Sequence, residues 1–168
     1  QSVVYLGFTI DGNGVSPVPS KLNLIRQWPR PDSIKALRGF LGFANRYFSF
    51  CPHLAVVSAP LARITGKRSL EWSNELDEAF NRTKSVLKDI NTLSLPTAKD
   101  PFILETDASG YGIGAVLLQL QGGKEMPIAY FSKALNDAQK NYEAFKLEMH
   151  ALMKAVQYFQ IYLAGTKF

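Results

Sequence analysis

The feature that most constrains this chain is a change of hydrophobic period near residue 92. Up to about residue 90 the apolar residues recur at three- and four-residue steps. Ile34, Leu37, Phe40, Leu41 and Ala44 make one such stripe, and Leu76, Ala79, Phe80, Thr83, Val86 and Leu87 make another. Such spacing places side chains on one face of a helix. Ser20, Asp32 or Ser33, and Ser73 are the candidate helix caps, and Pro29, Pro31 and Pro52 stop or break these segments, while Pro60 lies inside or at the start of a further one. After residue 100 the runs are short, β-rich and punctuated by glycine: 101–107, 115–120 and 126–132 read as three strands of an antiparallel meander. Gly110, Gly112 and Gly114 are read as the first turn, and Gly122-Gly123 as the second. A long helix over roughly 137–162 follows, capped by Asn136, with Tyr142, Phe145, Met149, Leu152, Val156 and Phe159 as its apolar face.

Ahead of the helices, residues 3–10 are apolar and β-rich, and Asp11-Gly12-Asn13-Gly14 is a strong turn signal, so the start reads as a β-hairpin. The expected fold is therefore α+β: an N-terminal hairpin over 1–19, a helical region over 20–95, and a meander-plus-helix unit over 96–168 entered through a linker-like stretch at 92–100. An apolar Phe168 directly after the helix stop at Gly165 suggests a further strand, and the meander's bare edge suggests a fragment or a second chain that completes it.

Charge is distributed unevenly. Residues 20–68 hold nine Lys or Arg against the single Asp32, whereas 96–168 carry seven basic and seven acidic residues. A basic block of this kind suits a polyanion, because neutralised phosphates release counterions. One cysteine, Cys51, excludes an intrachain disulfide and a cysteine zinc site, and two histidines exclude a His-rich metal site. No apolar run approaches membrane-spanning length, and the first residues lack the pattern of a signal peptide. A reducing compartment, cytosol or nucleus, is the expectation.

Two carboxylates stand out. Asp107 ends the first meander strand beside small residues, and Glu148 sits among apolar neighbours in the last helix. A strand Asp and a helix Glu brought together offer hard oxygen ligands to a divalent cation. Gly110-x-Gly112-x-Gly114 precedes a strand, not a helix, which argues against a dinucleotide loop.

Taken in order, these segments resemble the reverse transcriptases of gypsy/Ty3-type LTR retrotransposons. The blocks are Tyr5-Leu6-Gly7-Phe8; Trp28-Pro29-Arg30-Pro31; Leu37 through Asn45; Ala59-Pro60-Leu61; Glu71-Trp72-Ser73; Thr106-Asp107-Ala108-Ser109; Gly112 through Leu117; Ala129 through Lys133; and Asn141-Tyr142 to Glu148. The resemblance implies that Tyr5, Leu6 and Gly7 are primer-grip-like, and that residues 20–95 form a thumb-like region. Lys21, Arg26, Arg30, Lys35, Arg38 and Arg46 would hold a template–primer duplex, RNA–DNA hybrid or DNA. Asp107 and Glu148 would be two of four ribonuclease H carboxylates that bind Mg²⁺ in the intact parent. The polymerase aspartates and the other two carboxylates are not in this sequence, so the chain alone is not expected to cut a hybrid. The implied setting is an element particle in the cytoplasm, or the nucleus, with the rest of the polyprotein or another chain at the open sheet edge. The second reading is a catalytically inactive, co-opted binding or scaffolding module. It is motivated partly by Phe48-Ser49, which stands where the family usually has a basic pair.

Overall fold

The computed structural model describes residues 2–168. Its elements run β1 (Val3–Tyr5), β2 (Phe8–Asp11), β3 (Gly14–Pro17), α1 (Pro19–Arg26), α2 (Ile34–Asn45), α3 (Leu54–Ile64), α4 (Asn74–Lys88), β4 (Phe102–Ala108), β5 (Gly112–Gln121), β6 (Lys124–Ala134), α5 (Ala144–Tyr158) and α6 (Gln160–Leu163). The strands form two antiparallel three-stranded sheets, β1-β2-β3 and β4-β5-β6. Mixed α+β architecture with a helical middle is thus what the chain adopts.

The N-terminal hairpin gains a strand. Residues 3–10 do not run straight: Leu6 and Gly7 take positive φ, 50° and 82°, and fold Val3–Tyr5 back on Phe8–Ile10. Two consecutive positive φ values fit the twist of a tight hairpin, and Gly bears them at no steric cost. Ser33 and Ser73 cap α2 and α4 as expected, accepting from the amides of Ala36 and Leu76. For α1 the cap differs: Pro19 occupies the first turn after Val18, so Ser20 lies inside the helix. Pro suits that position because its missing N–H has no partner there anyway. Pro60 lies inside α3.

Three cores hold the molecule. Leu37, Phe40, Leu61, Leu76 and Phe80 join α2, α3 and α4, with Trp28 and Trp72 against them. Ile25, Tyr47, Phe50, Cys51, Leu54, Leu87 and Leu93 tie the helices to Phe8 and Val15 of the first sheet and to Tyr130 of β6. Ile113, Leu117, Phe131, Leu147, Ala151, Ala155 and Phe159 join the second sheet to α5, and Phe48 packs against this core too. Cys51 is buried, and that burial pushes its thiol up to about 12.

Residues 92–100 do not behave as a linker. Leu93 and Val15 exchange backbone hydrogen bonds, and the Ser94 amide donates to the Pro127 carbonyl at 2.7 Å. The fully buried Gln119 side chain accepts from the Thr97 amide and donates to the carbonyls of Thr97 and Asp100. Gly14 is required here: a Cβ would fall 2.1 Å from the Leu93 carbonyl oxygen.

Two further expectations are corrected. Gly112 and Gly114 lie within β5, and the turn is Ser109–Tyr111, closed by Ser109 and Gly112. The single helix over 137–162 is broken into a 3-10 turn at Gln139–Asn141, α5 and α6. Asn136 and Gln139 bond reciprocally, side chain to amide, and close a turn; Tyr142 and Glu143 are then extended. The buried stripe of α5 is Leu147, Ala151 and Ala155, while Phe145 is 73% and Met149 50% exposed. Small residues on the sheet-facing side let the helix approach closely, so the bulkier stripe points away.

Candidate functional site

Strand register decides where Asp107 points. Successive strand residues face opposite sides of a sheet, and cross-strand partners share a side. Phe102, Leu104 and Ala108 belong to the core under α5, so Asp107 lies on the other side. Its partner is Gly114, whose own partner on β6 is Ser132. This row looks toward the segment that starts α3: His53 lies over Gly114, with Cε1 3.5 Å from where a Cβ would stand, and the Ala55 amide donates to Ser132 Oγ at 3.0 Å. Asp107 is exposed on the wall of a pocket of about 230 Å³, with Glu105, His53, Pro52 and Tyr130 also lining it.

Glu148 is exposed on α5, one residue past the buried Leu147. It does not line the Asp107 pocket. Since α5 packs on the opposite face, the structure does not bring the two carboxylates into one pocket. Carboxylate oxygens suit a hard cation, but the number falls short: among the described residues no three His, Cys, Asp or Glu side chains converge into a metal-holding group. Beside Glu148, His150 Nε2 lies 3.1 Å from the Gln139 side-chain nitrogen, and burial, aided by Lys154 and Lys133, holds its imidazole below the usual range. A neutral imidazole nitrogen can accept from that amide, which explains the pairing.

The basic residues divide into two groups. Lys21, Arg26 and Lys35 are exposed and make no ion pair among the described residues. The other three are committed within the chain. Arg30 bonds Asp77 at 2.7 Å and stacks over Trp72 at 4.5 Å; Arg38 donates to the Thr65 carbonyl. Arg46 donates to the Leu6 carbonyl and lies over the Phe8 ring. Arg46 thereby clamps the Tyr5-Leu6-Gly7 turn, and Gly7 suits its place beneath it, with φ at 82° and the guanidinium 3.3 Å from where a Cβ would stand. Tyr5 and Leu6 themselves are exposed.

The Phe48-Ser49 pair faces the second sheet. The Phe48 ring meets Phe131 and Tyr158 edge-on at 6.4 and 6.0 Å, and Ser49 Oγ lies 3.1 Å from the Tyr158 hydroxyl. The departure from a basic pair therefore has a packing reason. Glu105 was legible beside Asp107, since residues two apart on a strand share a face. No sequence signal pairs His53 with Asp107, because the pocket they share lies between the helical region and the sheet.

The fold and its exposed strand aspartate define a class: a three-stranded ribonuclease H-like layer carried on a helical unit. Comparison with known proteins agrees. Residues 72–168 match the family described as the RNase H-like domain found in reverse transcriptase, and the chain belongs to that family. It is homologous to gypsy/Ty3-type Pol polyproteins: it is 35% identical over 176 residues to the retrovirus-related Pol polyprotein from transposon opus of Drosophila melanogaster, covering 98% of this chain and 18% of that protein. Identity to the Pol polyprotein from transposon gypsy of the same fly is 32%, with 99% and 17% covered. For the Tf2-3 polyprotein of Schizosaccharomyces pombe it is 31%, with 99% and 13% covered. The chain thus spans less than a fifth of these relatives. Among solved structures, the foamy viral protease-reverse transcriptase in complex with an RNA/DNA hybrid superposes with TM-score 0.84 at 20% identity, over 98% of this chain and 22% of that one. The same enzyme in complex with double-stranded DNA gives 0.84 at 21%, over 97% and 35%. The fold is that of the reverse transcriptase and RNase H-like region of a retrotransposon Pol polyprotein.

Proposed function

We propose that this chain is the part of a retrotransposon reverse transcriptase that grips a template–primer duplex and contributes Asp107 and Glu148 to the site that cuts the RNA of an RNA–DNA hybrid. The observation that carries the reading is the fusion of a basic helical unit to a sheet whose exposed strand end bears Asp107. Lys21, Arg26 and Lys35 supply free cations for phosphates, independent of base sequence. Arg46 acts one step back, fixing the Tyr5-Leu6-Gly7 turn against the helices so that the turn presents a rigid edge to the primer.

Asp107 on its strand and Glu148 on α5 would each offer carboxylate oxygens, and further carboxylates from the rest of the polyprotein would complete the set. Asp107 and Glu148 would be this chain's share of the ligands for Mg²⁺, which would supply Lewis-acid chemistry there. The chain's own contribution is to hold two ligands on a strand and a helix, whose backbones are fixed by the core. The unpaired edge of β4 accepts another strand, from the same polyprotein or a second chain. The place of action is an element particle in the cytoplasm, or the nucleus.

The reading is tested with the purified chain. A hybrid or DNA duplex should bind, and the affinity should fall steeply with salt; a flat response removes the electrostatic argument. Mn²⁺ added to labelled protein should broaden the resonances of Asp107 and Glu148 before those of other carboxylates. Broadening spread evenly over the acidic residues would overturn the metal assignment.

A further inference from the structure

Asp107 ends a cross-strand row, Ser132–Gly114–Asp107, that is seated on the helical unit. Each member of the row has a partner from residues 52–56. Ser132, buried, takes its hydrogen bond from the Ala55 amide. Gly114 lies under the His53 ring, and Asp107 shares its pocket with Pro52 and His53. One row further along, Gly112 abuts Val56 so closely that a Cβ would fall 2.3 Å from Val56 Cγ2. The face of β5 turned to this segment is therefore bare at two alternate positions, Gly112 and Gly114, where the side chains of Val56 and His53 come close. Glycine inside a strand normally weakens it, and here the missing side chains make room for Val56 and His53. His53 adds to the case: its φ is 59°, a strained value for a residue with a side chain, and it orients the start of α3 onto the sheet.

We infer that the segment Pro52–Val56 of the helical unit is a positioning element for Asp107, so that the geometry of the hydrolase-like strand pair depends on its seat against the duplex-gripping part. The inference deepens the proposed function and rests on it for its consequence: the part that holds the duplex also sets the carboxylate that faces it. Ser132 and Val56 touch no substrate; they act through the β4–β5 pair.

Hydrogen exchange on the whole 168-residue chain tests it. Val56→Arg forces a long charged side chain into the seat, and Ser132→Ala removes its hydrogen bond. The amides of 106–108 and 113–115 should exchange roughly tenfold faster in Val56→Arg, and measurably faster in Ser132→Ala. Those of α5 from Leu147 to Ala155 should keep their rates. Gly110→Ala, in an open turn with nothing within 4 Å of the new methyl, should change nothing. Wild-type rates around Asp107 in the seat variants overturn the inference, and so does uniform acceleration across sheet and helix. If Val56→Arg does not fold, Ser132→Ala decides. Mn²⁺ broadening at Asp107, measured in parallel, separates the two ideas: its absence in the unmodified chain counts against the proposed function, whereas the exchange rates judge the seat independently of any metal.

Discussion

Phe48 meets Tyr158 edge-on, with ring centroids 6.0 Å apart, and thereby joins the segment after α2 to the last turn of α5 across more than a hundred residues of sequence. This contact couples a core of the helical unit to the core of the ribonuclease H-like layer, since Phe48 packs against both. Phe48→Ala should cost about 2 kcal/mol, less than a fully buried Phe because the ring is half-buried. Denaturant titration followed by far-ultraviolet and aromatic signals should still show one transition, shifted to lower midpoint. Two separated transitions in the unmodified chain would refute that coupling.

Gly7 is held at φ 82° under the Arg46 guanidinium. Gly7→Ala should destabilise the first hairpin by about 1 kcal/mol from the left-handed backbone alone, and more if Arg46 is displaced. Arg46→Met should loosen the same turn. Exchange of the β1 and β2 amides is the measurement; unchanged protection in both variants would show that the clamp contributes nothing.

Gln119 is fully buried and satisfies three backbone groups of 97–100. Gln119→Leu keeps the volume but strands those groups. The expected loss is about 2–3 kcal/mol in the thermal or denaturant midpoint. Proteolysis should then begin within 94–100, the stretch that the side chain ties to β5.

The two groups of cations should separate experimentally. Lys21→Ala and Lys35→Ala should weaken duplex binding and lower the slope of affinity against salt by about one each if each contacts a phosphate. Arg30→Ala should instead act mainly on stability, by up to about 1 kcal/mol, since its ion pair with Asp77 is partly exposed. A salt slope reduced equally by all three would contradict the division.

His150 should titrate below its ordinary value of 6.5, because burial and nearby Lys154 and Lys133 disfavour the imidazolium. A lowered folded value means the unfolded chain binds the proton first. The stability contributed by the neutral ring is present above the ordinary value and is lost as pH falls through the window beneath it. The ring's proton resonances against pH give the midpoint directly, and Gln139→Ala should move it. A midpoint at or above 6.5 would refute the assignment.

Local chemistry was legible in the chain alone. Ser33 and Ser73 cap their helices because a short side-chain oxygen satisfies an early amide wherever the chain is. The change of period near residue 92 separated helices from meander because buried faces recur at the period of the backbone that carries them. The family resemblance was likewise a matter of local blocks in order. Contacts between segments distant in sequence emerged only with the folded chain. Periodicity offered the stripe through Phe145, Met149, Leu152 and Val156, and only packing against Ile113, Leu117 and Phe131 of the sheet turned Leu147, Ala151 and Ala155 inward instead. The stretch 92–100 looked like a linker because its partners, Val15, Gln119 and Pro127, lie elsewhere in the sequence. Arg30, Arg38 and Arg46 counted as free charges until their carboxylate, carbonyl and ring partners were in place. The orientation of Asp107 toward His53 was set by strand register, which no single strand encodes alone.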